Sequence, residues 1–311
     1  MGRAKDEWMR QSEQGWSSVG DKWVCAKCFD DYAIVGFIED NAGEKRCSYC
    51  DRSSRKEIAA HMDKVLEFIA AGIRSEYDDA GNGVGCDSSE GGYYGAPTWD
   101  SWDLLDEIGL NVENETLQDD LRRAFFQVEW SRCDPYGDRH CDALRYSWEA
   151  FSKLVKHRTR FVFFRVKTPG LDSYESEPYE FLDSLRSEVD ETGLVREIAP
   201  QRGWFRAQEH PAGERLAGAK RLGAPPAERA SHSRMSPAGI PMLYVAGDAA
   251  TAIAEVNSGP PAGSIFTVGE FASIRPLRVL DLSNIPRVPS LFDENRRHMR
   301  MALIFLRQFA D

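Results

Sequence analysis

Apolar residues recur at helical spacing through the first half of the chain. Over residues 58–69 they return every three or four positions, after a capping box formed by Ser54 and Glu57 and before a terminating Gly72. The same spacing recurs in three later segments, at residues 99–108, 115–130 and 144–157. We therefore predict an all-helical segment over residues 53–157.

After residue 160 the pattern changes to short apolar runs typical of strands. These runs predict strands at residues 161–166, 204–206, 242–246, 264–268 and 277–282. Asp248 stands where an N-cap is expected for a short helix that reaches Val256. The second half is therefore predicted to be α+β, and with it the fold class of the whole chain.

Three segments lack a clear element. Residues 77–97 are acidic and rich in glycine, which predicts a long exposed loop. Residues 210–241 are rich in Ala, Gly, Pro and Arg, which predicts an active-site loop or a mobile insertion. The last apolar-periodic stretch reaches Asp311 without a stop signal, so we expect the sequence to be cut short inside a helix.

Two Cys-x-x-Cys pairs near the N-terminus predict a zinc site. Cys25 and Cys28 precede an apolar, hairpin-like stretch, and Cys47 and Cys50 follow it, with 18 residues between the inner cysteines. Four thiolates at this spacing can converge on Zn²⁺, and such a shell leaves no open position for a reacting water. A structural zinc ion is therefore expected; four unliganded thiols or a redox pair are the alternatives.

Charge is distributed unevenly along the chain. Its 311 residues carry a net charge of −11, which argues against general nucleic-acid binding. Residues 199–311 contain 14 Lys and Arg against 10 Asp and Glu, so an anionic ligand is expected in this third. The apolar runs are too short to span a membrane, and the charged N-terminus lacks a signal peptide, which favours the reducing cytoplasm.

Arg55 and His61 match a loose ribonuclease motif. Their separation fits the Arg-x(4-6)-His pattern of HEPN ribonucleases, on the first predicted helix. The alternative is a surface Arg and a partly buried His, and the acidic segment around them argues against an RNA-binding groove.

A second set of chemically suited residues lies in the C-terminal third. Arg206 and Arg234 can fork a pyrophosphate, Tyr244 can stack on a ring, and Glu255 can hold a ribose hydroxyl or stabilise an oxocarbenium-like carbon. Each residue alone also fits a structural or surface role. Together they are the groups that cleavage or transfer at an N-glycosidic bond requires.

The order of these residues resembles the RES domain, over about residues 194–311. The resemblance implies a fold like that of ADP-ribosyltransferases and an enzyme that consumes NAD⁺ or transfers its ADP-ribose. By position it makes Arg206 and Arg234 the pyrophosphate-binding residues, Tyr244 the residue of the Tyr strand, and Glu255 the catalytic carboxylate. Met235 and Ser236 depart from the aromatic-Asn pair of the family, and the family's Ser is expected at or beyond Asp311.

The segment before the RES-like part resembles the HEPN-like domain that precedes some RES domains. We therefore expect a zinc-binding module at residues 1–52, a helical HEPN-like domain at 53–160, a linker at 161–193 and an incomplete RES domain at 194–311. The resemblance also implies a toxin or defence effector, with an antitoxin or immunity protein as a partner and no membrane. Two alternatives stay open: a HEPN-type ribonuclease, and a non-enzymatic, zinc-stapled interaction protein with a decayed RES domain.

Overall fold

The computed structural model describes residues 14–87, 89, 92–126, 128–157, 178–232, 236, 238–256 and 264–310. The chain divides into two compact units. The first consists of Met1–Leu194 together with Leu282–Asp311, and the second of Val195–Asp281. The second unit is therefore an insertion in the chain of the first. None of the helices in the described part of the chain has the length and apolar character that crossing a bilayer requires.

Helices and two-stranded antiparallel sheets make up the described part of the chain, which makes the fold α+β. The strands are β1 (Trp23–Cys25), β2 (Ala59–His61), β3 (Tyr77–Asp79), β4 (Gly85–Asp87), β5 (Gly92–Tyr94), β6 (Trp130–Arg132), β7 (Val195–Ile198), β8 (Gly203–Pro211), β9 (Ser264–Ala272) and β10 (Leu277–Leu280). The helices are α1 (Tyr32–Asp40), α2 (Met62–Ile73), α3 (Ala80–Gly83), α4 (Ser101–Glu107), α5 (Glu115–Phe125), α6 (His140–His157), α7 (Pro178–Glu191), α8 (Ala219–Leu222), α9 (Ala249–Val256) and α10 (Arg300–Ala310).

The stretch between the Cys pairs is a helix, so the hairpin-like interpretation is wrong. The Asp31 side chain caps α1 by accepting hydrogen bonds from the backbone of Ala33 and Ile34. Ile34 and Ile38, one helical turn apart, are both fully buried. This i, i+4 spacing is typical of a helix, and it is a stronger signal than the turn-forming residues Asn41 and Gly43 that follow.

The capping box at Ser54 and Glu57 is also wrong, because α2 begins later, at Met62. The residues before it form β2, which pairs antiparallel with β1 and places Trp23 opposite His61. His61 is the N-cap, and its Nδ1 accepts a hydrogen bond from the backbone of Asp63 over 3.3 Å. Residues 59–61 use their backbone groups to pair with β1, so they are not available for the helical hydrogen bonds that were predicted there.

The segment 53–157 is not all-helical, and the described part of residues 77–97 is not a plain loop. β3 pairs with β6, and β4 pairs with β5, which places Gly85 opposite Tyr94. Each of these strands has only three residues, too few for a period of two to be recognised in the sequence. The helices predicted after Trp99 are present as α4, α5 and α6.

The first unit has one hydrophobic core that includes residues from both ends of the chain. One face of α2 is fully buried, as the helical period predicts. Leu291 and Phe292, from the C-terminal segment, belong to the same buried cluster. Phe292 lies against Gly72 on α2, where an added Cβ would be 2.3 Å from Phe292 Cδ1. Gly72 is therefore required here for the close approach of an aromatic ring rather than to end the helix.

The second unit is built on a long antiparallel ladder between β8 and β9. It runs from Gly203 opposite Ala272 to Pro211 opposite Ser264. β7 and β10 form a separate antiparallel pair. Of the predicted strand at residues 242–246, only an isolated bridge between Ala246 and Phe205 is present, so that prediction is wrong as a regular strand.

Residues 178–191, inside the predicted linker, form α7. The predicted strand at 161–166 lies outside the described residues. The RES-like segment expected at 194–311 is divided, because residues after Asp281 belong to the first unit. The two compact units therefore follow other bounds than the four predicted modules, whose boundaries stay predictions.

Candidate zinc and NAD⁺ sites

The four cysteines of the two Cys-x-x-Cys pairs converge in the first unit. Their Sγ atoms all lie within 4.8 Å of one another. Cys25 Sγ is 3.8 Å from Cys28 Sγ and 3.5 Å from Cys50 Sγ, and Cys28 Sγ is 3.7 Å from Cys47 Sγ. A tetrahedral zinc with bonds of about 2.3 Å separates its sulfur ligands by about 3.8 Å. The spacing of the thiols therefore fits one Zn²⁺.

The pKa values of these thiols shift in opposite directions, because the thiols share protons with one another. The hydrogen bond from Cys28 lowers the pKa of Cys47 to about 4, and the backbone N–H of Tyr49 donates to Cys47 Sγ over 3.4 Å. Burial, and then the hydrogen bond with Cys50, raises the pKa of Cys25 to about 11. A bound dication would replace the shared protons and leave all four sulfurs charged.

The loop of the second Cys pair is anchored to α5. The hydroxyl of Tyr49 donates to Asp120 Oδ2 over 2.9 Å, and the Lys22 ammonium also contacts this oxygen. Asn114 donates to the backbone carbonyl of Tyr49 over 2.9 Å. Asp120 is 5% exposed, so its charge depends on these partners. The sequence carries no local signal for this contact, because Tyr49 and Asp120 are 71 residues apart.

Arg206 occupies the middle of β8 and is half-buried. Its Nη1 is fully buried and has no hydrogen-bond partner among the residues that the structure describes. Burial lowers the pKa of Arg206, and no charged group among the described residues offsets that effect. A buried guanidinium nitrogen without a counter-charge is costly, which favours an anionic ligand at this position.

Tyr244 lies in a segment that runs beside the strand of Arg206. Ala246 exchanges two backbone hydrogen bonds with Phe205, of 2.9 and 2.7 Å. The Tyr244 hydroxyl donates to Ser236 Oγ over 2.8 Å, while the residue as a whole is 43% exposed. The hydrogen bond therefore fixes the hydroxyl end of the Tyr244 side chain, while part of the residue stays exposed.

Glu255 is on α9, which packs against β8 and β9. Asp248 caps this helix as predicted, because it accepts hydrogen bonds from the backbone and hydroxyl of Thr251, both 2.8 Å long. Glu255 is exposed near the end of the helix. Within the described residues, no ion pair or hydrogen bond joins Glu255 to Arg206. Arg234 lies outside the described residues.

Arg55 and His61 do not share a helix, which contradicts the ribonuclease motif as predicted. Arg55 is exposed ahead of β2, and His61 caps α2. The His61 ring also packs edge-on against Trp23, with centroids 5.2 Å apart, and its Nε2 is 3.4 Å from Asp21 Oδ1. These contacts give His61 a structural role.

Comparison with protein families finds two domains in the order that the resemblance implies. Residues 40–169 match the HEPN/RES N-terminal domain 1, and residues 204–304 match the RES domain. No curated protein and no solved structure matches the chain. The RES match contains Arg206, Tyr244 and Glu255, and it extends past the second unit into α10. The family matches therefore place a HEPN/RES N-terminal domain 1 ahead of a RES domain in this chain.

Proposed function

We propose that this protein consumes NAD⁺ by breaking the bond between nicotinamide and ribose. The RES domain is associated with NAD⁺-consuming toxins. The observation that carries the proposal is the buried, unpaired Nη1 of Arg206 on β8. This nitrogen fits a charged pyrophosphate oxygen, because charge-assisted hydrogen bonds offset the cost of burying a cation.

Each site residue has a separate role in this proposal. Arg206, together with Arg234, holds the pyrophosphate, and the exposed Tyr244 ring stacks on a ring of the substrate. The Glu255 carboxylate stabilises positive charge that develops at the ribose carbon. Its exposed position on α9 leaves it accessible to a substrate.

The proposed reaction needs no acid on the leaving group. When the carbon–nitrogen bond breaks, its electron pair stays with the nicotinamide nitrogen, which becomes neutral. The ribose carbon then accepts a lone pair from water, phosphate or a protein side chain, and a water acceptor releases one proton. The residues discussed here do not select among these three acceptors.

A comparison of two variants tests the proposal. We expect Glu255→Gln to lower the rate of nicotinamide release at least about 100-fold and to change the Kd for NAD⁺ only a few-fold, because the lost charge acts in the transition state. Arg206→Ala should instead weaken NAD⁺ binding by about 1.5–3 kcal/mol. Glu270→Gln, at an exposed position on β9, is the matched control and should behave as the wild type.

Two outcomes of these experiments would contradict the proposal. Equal nicotinamide release by the wild type and Glu255→Gln would show that Glu255 is not the catalytic carboxylate. If the wild type releases no nicotinamide from NAD⁺, the non-enzymatic interaction protein is the better description.

We also propose that Cys25, Cys28, Cys47 and Cys50 hold one structural Zn²⁺. The distances between their sulfur atoms support this ion. When bound, the ion supplies a cross-link between the two Cys pairs and no catalytic water. Cys25 and Cys47 belong to the hydrophobic core of the first unit, so the ion would add to the stability of that core.

The cellular role that we propose is that of a cytoplasmic toxin or defence effector. Loss of NAD⁺ stops metabolism, so a cell that makes such an enzyme needs an antitoxin or immunity protein to block it. Cells expressing the wild type should lose NAD⁺ and stop growing, whereas cells expressing Glu255→Gln should do neither. Growth arrest with an unchanged NAD⁺ level would contradict this role.

A further inference from the structure

Two hydrogen-bond donors on β8 are buried and have no partner in the described part of the chain. These are Nε1 of Trp204 and Nη1 of Arg206. Residues two apart in a strand point to the same face, so both side chains lie on one face of β8. Leaving a buried donor unpaired is costly, and two such donors side by side suggest a shared partner from outside the chain.

The neighbouring strand explains why the protein leaves these donors unpaired. In the ladder, Trp204 is opposite Phe271 and Arg206 is opposite Gly269, and neither offers a polar side chain. A Cβ at Gly269 would lie 3.0 Å from Leu222 Cδ1, so this position does not accept a larger residue easily. The residues directly opposite both donors therefore offer no side-chain acceptor, and a bound ligand can supply one.

The charge beside these donors favours an anion. The Arg202 guanidinium lies over the Trp204 ring, 5.0 Å from its centroid. Arg206 adds a second positive charge on the same face. Side chains two apart on a strand are separated by about 7 Å at their Cα atoms, so the two donors suit a group with acceptor oxygens at both of its ends.

We infer that Trp204 donates a hydrogen bond to the same pyrophosphate that Arg206 binds, with one phosphate facing each donor. This inference rests on the proposed function and deepens it, because it names a residue that distinguishes ligands with a pyrophosphate from those with a single phosphate. Trp204 is a positioning residue. It contributes a neutral N–H at one end of the group, while Arg206 contributes charge at the other.

The substitution Trp204→Phe tests this role in the full, zinc-loaded chain. Phe keeps an aromatic ring near Arg202 and removes the N–H together with part of the indole. We expect the Kd for ADP-ribose to rise about tenfold or more, whereas the Kd for AMP, with one phosphate, should change less than about threefold. The smaller ring can lower the Tm without ligand, so both Kd values are measured well below the Tm of the variant.

Trp130→Phe is the matched control. Its Nε1 is also buried and unpaired, but Trp130 belongs to β6 in the first unit. This variant should bind ADP-ribose as the wild type does.

The outcomes separate this inference from the proposed function. If the wild type binds ADP-ribose and Trp204→Phe binds it equally well, the role of Trp204 is overturned and the NAD⁺ proposal stands. If both ligands lose affinity equally, the pyrophosphate assignment is overturned. If the wild type does not bind ADP-ribose, both proposals fail.

Discussion

The hydroxyl of Tyr49 donates a hydrogen bond to Asp120 Oδ2 over 2.9 Å. Tyr49 lies between the two cysteines of the second pair, and Asp120 lies on α5. The proposed metal site and the helical part of the first unit are therefore joined by a buried, charge-assisted contact.

Removing the Tyr49 hydroxyl should loosen this contact without releasing the metal. We expect Tyr49→Phe to lower the free energy of unfolding by about 1.5–3 kcal/mol, the usual range for a hydrogen bond to a charged group. The zinc content should stay unchanged, because the four sulfur ligands remain. Tyr94→Phe, at a residue that is 53% exposed, is the control and should change stability by less than about 0.5 kcal/mol. Denaturant unfolding with metal analysis checks both; loss of zinc in Tyr49→Phe would contradict this account.

The chain should carry one tightly bound zinc ion. Cys25→Ser should lose the metal and destabilise the N-terminal part of the first unit, because metal-binding energy is folding energy there. Cys133→Ser should do neither, since Cys133 is exposed, lies away from the four-cysteine cluster in the sequence, and donates from its thiol to the Arg74 carbonyl over 3.8 Å. Elemental analysis of freshly purified protein measures the metal content. Well under one equivalent of zinc in the wild type would disprove the site.

Two glycines in helices should respond oppositely to alanine. At Gly36 on α1 an added Cβ meets nothing within 4 Å, so Gly36→Ala should stabilise the protein by up to about 1 kcal/mol. At Gly72 the added Cβ would be 2.3 Å from Phe292 Cδ1, so Gly72→Ala should destabilise it by about 1–3 kcal/mol.

A double-mutant cycle shows whether contact with Phe292 causes the loss of stability on Gly72→Ala. In a Phe292→Leu background, Gly72→Ala should cost clearly less than in the wild type, because the ring that it meets is gone. Equal costs in the two backgrounds would show that Phe292 does not rest on Gly72. Thermal or denaturant unfolding supplies the free energies.

The pair of His140 and Glu188 should make stability depend on pH. Their atoms Nε2 and Oε1 are 2.6 Å apart, and this hydrogen bond raises the pKa of His140. Because the pKa of His140 is higher in the folded state, the pair contributes fully to the free energy of unfolding below the unfolded pKa of about 6.5. This contribution is lost as the pH rises through the folded pKa. Since the His140 side chain is 54% exposed, the effect should be small.

Glu188→Gln is the variant that checks this dependence. The stability difference between the wild type and Glu188→Gln should be larger at about pH 5.5 than at about pH 8.5. A difference that is independent of pH would contradict a charged pair. An NMR titration of His140 should show its pKa falling in the variant.

Much of the candidate chemistry was readable in the sequence because it depends on spacing. The two Cys-x-x-Cys pairs predicted a cluster that the structure brings together. The Asp248 cap and the helix to Val256 were confirmed, because a cap acts over three residues. The capping box at Ser54 failed, because the Ser54 backbone N–H donates to the Lys45 carbonyl over 2.9 Å and residues 59–61 pair with β1.

The sequence by itself determined which residues are available: four thiols at metal-binding spacing, and the order of Arg206, Tyr244 and Glu255 that marks a RES domain. These features are local, or are an order along the chain, and need no knowledge of contacts. Only the tertiary structure decided that Phe292 rests on Gly72 and that the donors of Trp204 and Arg206 face no acceptor. Both facts depend on contacts between residues that are far apart in the sequence. The pairing of β8 with β9 puts Phe271 and Gly269 at those two positions, and no local pattern specifies that register.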